Sequence, residues 1–249
     1  MEIQDLIRCT ISGNLSAAVG PYAIDEGLID ATAPVTRVRI HQVNTGKVIV
    51  AEVLVRGNRA EVEGNHVIDG VPGTGAKLVL DWADSAGALT GKLLPTGNVV
   101  DILPVEGLGD VEVSLVDAAI PVVFIDAVML GLKGNETPQE IDSNEDLLKK
   151  IEKIRGVAAV RMGLCNDWKK ATQEVPYSPF FAICTSPVTY KSWTTGEIIP
   201  EESVDLVVRQ SECLCRKQKE QVNQSDTLLA AYMAYHLRDG FLIIMPQCN

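Results

Sequence analysis

The run Ser12-Gly13-Asn14-Leu15-Ser16-Ala17-Ala18-Val19-Gly20-Pro21-Tyr22-Ala23-Ile24 constrains the fold more than any other stretch of this 249-residue chain. Ser12 or Asn14 is a good N-cap, because a short polar side chain there accepts a hydrogen bond from an N–H that a helix leaves unpaired. Ala17, Ala18, Val19 and Gly20 then make a helix almost without bulk. Such a helix suits enclosure on most sides by a sheet. Pro21 removes one helical hydrogen bond and is expected to kink the helix, setting its first turn apart.

Around this helix the pattern is β-rich. Runs at 35–43, 47–55 and 59–63 are separated by Asn44-Thr45-Gly46 and Arg56-Gly57-Asn58, which reads as hairpins in an antiparallel or mixed sheet. The Gly/Pro-rich loop at 70–75 leads into a strand at 77–81. After a break at 83–87, β character resumes at 91–102, 111–115 and 121–129. A helix is expected over 142–155, with Asp142 and Glu145 as a capping-box-like start, Leu147, Leu148, Ile151 and Ile154 as its apolar stripe, and Gly156 as its end. Glu145 with Lys149 and Asp146 with Lys150 are i,i+4 pairs, so its charged run reads as a solvated face. A strand at 180–185 and a helix at 200–209 follow. The fold class is α/β (α+β), with domains at 1–86 and 87–210 and a tail of different character at 211–249. Thr45-Gly46-Lys47 and Thr90-Gly91-Lys92 each precede apolar pairs, a faint echo of a duplicated half.

Charge and motifs exclude several functions. With 22 Lys+Arg against 33 Asp+Glu, the net charge of −11 argues against a nucleic-acid partner. The longest apolar stretch, 118–125, stops at Asp126, well short of the roughly 20 residues a spanning helix needs. The first residues show no secretion signal, and six scattered cysteines read as thiols in a reducing compartment, so the expected location is cytoplasmic. Cys213 and Cys215 with His236 lack a second ligand pair, so no metal is expected. The 70–75 loop is not a phosphate loop, because Ala76 separates its last glycine from Lys77. His41, His66 and His236 have no partner legible in sequence, and no nucleophile elbow exists. Ser12-Gly13-Asn14 holds the most chemical content. Glycine allows close approach of a ligand, and N–H groups at a helix start, with the macrodipole, favour a carboxylate.

The run from Ser12 to Ile24 resembles the PrpF family of 2-methylaconitate and 3-methylitaconate isomerases. So do Val43-Asn44-Thr45-Gly46-Lys47, Ile68-Asp69-Gly70-Val71-Pro72-Gly73-Thr74-Gly75-Ala76, Thr90-Gly91-Lys92-Leu93-Leu94-Pro95-Thr96-Gly97-Asn98, Ser114-Leu115-Val116-Asp117-Ala118-Ala119 and Ala159-Val160-Arg161-Met162-Gly163-Leu164. The blocks run in family order from about Ser12 to about Gln210. The resemblance implies a diaminopimelate-epimerase-like fold: two related domains, each a mixed sheet curled around a central helix, with the active site in the cleft between them. It also implies a cofactor-independent isomerase of small unsaturated di- or tricarboxylic acids, acting by proton abstraction and return. Ser12 takes the catalytic position, Gly13, Asn14, Leu15 and Ser16 the carboxylate-binding turn, and Arg161 is a candidate for substrate charge.

Departures from the family pattern carry their own expectations. Relatives usually have Cys at the position of Ser12 and Asn at that of Ile120. They also have more chain ahead of Ser12 and a second glycine-bearing helix start where the 211–249 tail stands. The first domain is therefore expected to be incomplete, its uncovered apolar surface favouring a homo-oligomer. The alternative reading is a non-catalytic relic or carboxylate-binding scaffold of the same family.

Overall fold

The computed structural model describes residues 13–68, 73–176, 178–192 and 196–211. They form two compact units that divide the sequence between Ala88 and Leu89.

The first unit opens with helix α1 (Gly13–Asp25) and continues with strands β1 (Val35–Gln42), β2 (Lys47–Arg56), β3 (Arg59–Ala60) and β4 (Leu78–Asp81). Strands β1 and β2 pair antiparallel from Val35 opposite Leu54 to Gln42 opposite Lys47. Gly46 closes their turn at φ +67°, a left-handed conformation that costs other residues strain. On the other edge of β2, β3 and β4 pair antiparallel along different stretches. Alternation along β2 buries Ile49, Ala51, Val53 and Val55. Ile24 of α1 packs on this row together with Val38. Gly20 sets the approach of helix to sheet: a Cβ there would lie 2.9 Å from Val53 Cγ2 and 3.2 Å from Ala51 Cβ. The Asp25 carboxylate accepts the Ala60 N–H at 2.8 Å and ties the helix end to β3.

Helix α1 runs unbroken through Pro21. It is not enclosed on most sides by the described strands. Ser16, Gly20 and Ile24 are buried, one turn apart along a single face, whereas Leu15 (72% exposed) and Tyr22 (62%) lie open with Ala18 and Val19. The described strands of this unit make one sheet, which covers that one face.

The second unit contains β5 (Asp101–Val105), β6 (Gly109–Asp117), β7 (Pro121–Asp126), helices α2 (Pro138–Asp142), α3 (Glu145–Arg161) and α4 (Ala171–Glu174), then β8 (Phe180–Thr185), β9 (Tyr190–Lys191), β10 (Ile198–Ile199) and β11 (Val207–Ser211). The short β9 and β10 pair with each other. The main sheet has the order β11-β8-β7-β6-β5. It is mixed: β7 and β8 are parallel, and the other pairs are antiparallel. A parallel pair requires a long crossover, and α3 lies within it. Leu147, Ile151, Ile154 and Ala158 of α3, with Met162 just beyond its end, pack against Leu103, Val113, Leu115, Val123, Ile125, Phe181 and Ile183 of the sheet. The opposite sheet face carries Val122, Phe124 and Ala182, against which Leu93 and Leu94 pack. The period-2 alternation of β7 and β8 thus feeds two cores.

Further sequence expectations change, and the strands expected at 59–63 and 121–129 already end at Ala60 and Asp126. Residues 91–100 are an irregular loop, and β5 starts only at Asp101, because Gly91 and Gly97 take left-handed φ of +84° and +83°. The expected helix at 200–209 is a single 3₁₀ turn, Glu201–Ser203, followed by β11, where pairing with β8 and two consecutive valines overrides helix propensity. Helix α3 starts at Glu145, where Asn144 Oδ1 accepts the Leu147 N–H at 3.0 Å, and Asp142 instead ends α2.

Gly156 does not stop α3, which continues to Arg161, with Gly163 taking the left-handed φ of +75° beyond its end. The role of Gly156 is close packing: a Cβ there would sit 2.7 Å from the carbonyl oxygen of Trp168. Gly156→Ala is therefore expected to destabilise the protein by about 1–3 kcal/mol, although alanine is the better helix former by about 1 kcal/mol. Urea unfolding followed by circular dichroism checks this, and a variant more stable than the parent contradicts it. No helix among the described residues is long and apolar enough to cross a membrane.

Candidate functional site

The residues expected from sequence to hold a carboxylate, Gly13 to Ser16, form the first turn of α1. In a first helical turn the N–H groups have no carbonyl four residues earlier to donate to, and the macrodipole places partial positive charge there. No acidic residue stands in this turn, whereas α3 carries Glu145 and Asp146 in its own. An incoming carboxylate thus meets no competing side-chain carboxylate from this turn. The Ser16 side chain is buried on the face turned to the sheet, so its backbone, and not its hydroxyl, is the part that faces along the helix axis. Leu15 lies on the exposed face. Ser12, the expected catalytic residue, lies outside the described residues, as do Cys9, Cys213, Cys215, His236 and Cys248.

Arg161 belongs to the second unit. It stands at the end of α3 with its guanidinium 3.7 Å from Asp101 Oδ1, its side chain 54% exposed and the Asp101 side chain almost fully buried. One edge of Arg161 is thus engaged by a buried carboxylate. The contact is long, its cation is half exposed, and Asp101 keeps two other side-chain donors, Thr96 and Asn98, so Arg161→Ala should cost less than about 1 kcal/mol of stability by urea unfolding. A loss of several kcal/mol would make the residue a structural pillar instead.

Asp101 also accepts from Thr96 Oγ1 at 2.7 Å and Asn98 Nδ2 at 3.1 Å. A second carboxylate, Asp117, holds the other end of the same loop. Fully buried at the end of β6, its Oδ2 accepts from Leu89 N–H (2.9 Å), Thr90 N–H (2.8 Å) and the Thr90 hydroxyl (2.9 Å). The Asp117 N–H donates to the Leu93 carbonyl at 2.8 Å, while Oδ1 has no hydrogen-bond partner among the described residues. Asp117 was not singled out by sequence reasoning, although a signal was present: an acidic residue closing a buried apolar β run demands buried donors. Ile120 is half-buried just before β7.

Cys165, His41 and His66 are further groups of acid–base type among the described residues. Burial pushes the Cys165 thiol up from its ordinary range, which keeps it protonated at neutral pH. His41 lies on β1, and His66 pairs through its backbone with Gly75. That pairing makes the described part of the 70–75 glycine loop an ordinary backbone turn; residues 69–72 lie outside the described set. Among the described residues no three His, Cys, Asp or Glu side chains gather in a way that could hold a metal ion.

Comparison with known proteins adds a family. The model of the family described as PrpF protein matches residues 7–221. The 3-methylitaconate isomerase of Eubacterium barkeri is 48% identical over 197 residues, covering 79% of this chain and 52% of that protein. The 2-methyl-aconitate isomerase of Shewanella oneidensis is 38% identical over 204 residues, covering 79% and 51%. A crystal structure described as methylitaconate-delta-isomerase superposes with a TM-score of 0.75 at 46% identity, over 81% of this chain and 52% of that one. The chain spans about half the length of these curated relatives.

Proposed function

The chain belongs to the PrpF family and has its diaminopimelate-epimerase-like α/β fold, and from that premise we propose that it is a cofactor-independent isomerase of small unsaturated di- or tricarboxylic acids. The substrates are of the 2-methylaconitate or methylitaconate type, and the setting is the cytoplasm. The observation that carries this reading is the family match running through Ser12 and the whole of α1, whose first turn presents backbone N–H groups and no acidic side chain. Relatives named as isomerases favour it over a non-catalytic scaffold.

The chemistry is one proton out and one proton back. A substrate carboxylate held at Gly13–Ser16 stabilises negative charge that spreads onto it when the neighbouring C–H is deprotonated. Ser12 occupies the position of the acid–base group. Return of the proton to either end of the delocalised system shifts or rotates the double bond. No oxidation state changes, so no redox cofactor is required. Mixing the purified chain with 2-methylaconitate or methylitaconate and following the isomers by proton NMR tests the reading. Conversion above the buffer rate is expected, and none would overturn it.

A further inference from the structure

We propose that the turn Thr90-Gly91-Lys92 is a carboxylate-binding site of the second unit, with the Lys92 ammonium as its anion contact and Asp117 as the residue that positions it. The inference rests on the reading of the substrate as a small polycarboxylate and names a residue that engages it.

Residues 89–100 have no regular secondary structure, yet they are fixed. Irregular loops of about this length inside compact domains are usually functional unless they are disordered. This one is pinned by two buried carboxylates, Asp117 at its start and Asp101 at its end. Lys92 is bracketed with particular firmness. Two residues before it, both the N–H and the hydroxyl of Thr90 donate to Asp117, and the same hydroxyl lies 3.0 Å from the Lys92 carbonyl. One residue after it, Leu93 accepts from the Asp117 N–H and packs with Leu94 on the sheet. Gly91 turns the backbone at φ +84°, and a Cβ there would meet nothing within 4 Å, so conformation and not crowding calls for glycine.

The Lys92 side chain is exposed and has no ion-pair partner among the described residues. In a chain where acidic residues outnumber basic ones 33 to 22, a cation without a carboxylate on a pre-set backbone is suited to an anion from outside. Arg161, the cation suggested by sequence, already faces Asp101. A fixed stem lowers the ordering cost of binding, and an ammonium is a compact donor for a carboxylate.

The test is calorimetric titration of the full chain with methylitaconate. Lys92→Gln should raise Kd at least about tenfold, Lys92→Arg should restore most of the affinity, and Lys149→Gln, on the solvated face of α3, should leave it unchanged. Equal affinity in Lys92→Gln and parent, or no saturable binding by the parent, overturns the proposal. The isomerase reading fails separately: Lys92-dependent binding without turnover sustains the site and sinks that reading, whereas turnover with KM unaltered in Lys92→Gln does the reverse.

Discussion

Replacing Arg155 with alanine is expected to cost the second unit about 3–5 kcal/mol, enough to exhaust much of an ordinary domain's stability. Arg155 is only 2% exposed, although it sits on the helix whose outer face is a run of charges. Its Nε and Nη2 donate to the two oxygens of Glu152 at 2.8 and 2.7 Å, and its Nη1 donates to the carbonyls of Val175 (3.0 Å) and Ser178 (2.8 Å). The Thr172 hydroxyl adds a bond to Glu152. One guanidinium thus fastens α3 to α4 and to the segment that enters β8. Removing it takes the donor from the Ser178 carbonyl, leaves the Val175 carbonyl with the longer Ser178 N–H at 3.3 Å and leaves the largely buried Glu152 carboxylate with the Thr172 hydroxyl, and a buried acceptor that loses its donor costs about 1–3 kcal/mol. Lys149→Ala on the same helix removes only exposed pairs to Glu145 and Asp146 and should change stability by less than about 0.5 kcal/mol. Urea unfolding of both variants separates the cases. An Arg155→Ala variant within about 1 kcal/mol of the parent would contradict the assignment.

The second large effect is chemical. Ser12→Cys is expected to raise turnover of a methylaconitate or methylitaconate substrate by about a hundredfold, the lower end of what general acid–base catalysis supplies. A serine hydroxyl without an activating base stays protonated at neutral pH. A thiol starts from a pKa near 8.5 and is lowered further at a helix N-terminus, where the thiolate is stabilised by the same partial charge that attracts a carboxylate. Because deprotonation creates the base, the rate of the cysteine variant should climb with pH through the thiol pKa and then level off. Rates measured by NMR across pH 6–9 check both the size and the shape. Unchanged or lower turnover would place proton transfer on a different group.

Legibility in the sequence followed how local the determinants are. The β1–β2 hairpin was readable because Gly46 and alternating apolar residues act within a few positions. Strand β8 was readable from Phe180 to Thr185 for the same reason. The end of α3 was not: Gly156 has the composition of a stop signal, and only the distant Trp168 carbonyl reveals that it is a packing contact. Strand β11 reads as helix in the sequence because its partner β8 lies more than twenty residues upstream. The site was divided likewise. Gly13–Ser16 was legible as a helix start, while Asp117 and Arg155 depend on donors and acceptors brought together from far along the chain. Leu15, Val19 and Tyr22 show the limit of composition: they are apolar, yet the described sheet does not cover them.

The proposed reaction moves one proton on an unsaturated carboxylic acid. Incubation with methylitaconate in deuterated water, followed by proton and deuterium NMR, tests it most directly. The isomer is expected to form, with deuterium entering the exchanging carbon faster than in buffer alone. Neither isomer nor exchange above the buffer rate would contradict it.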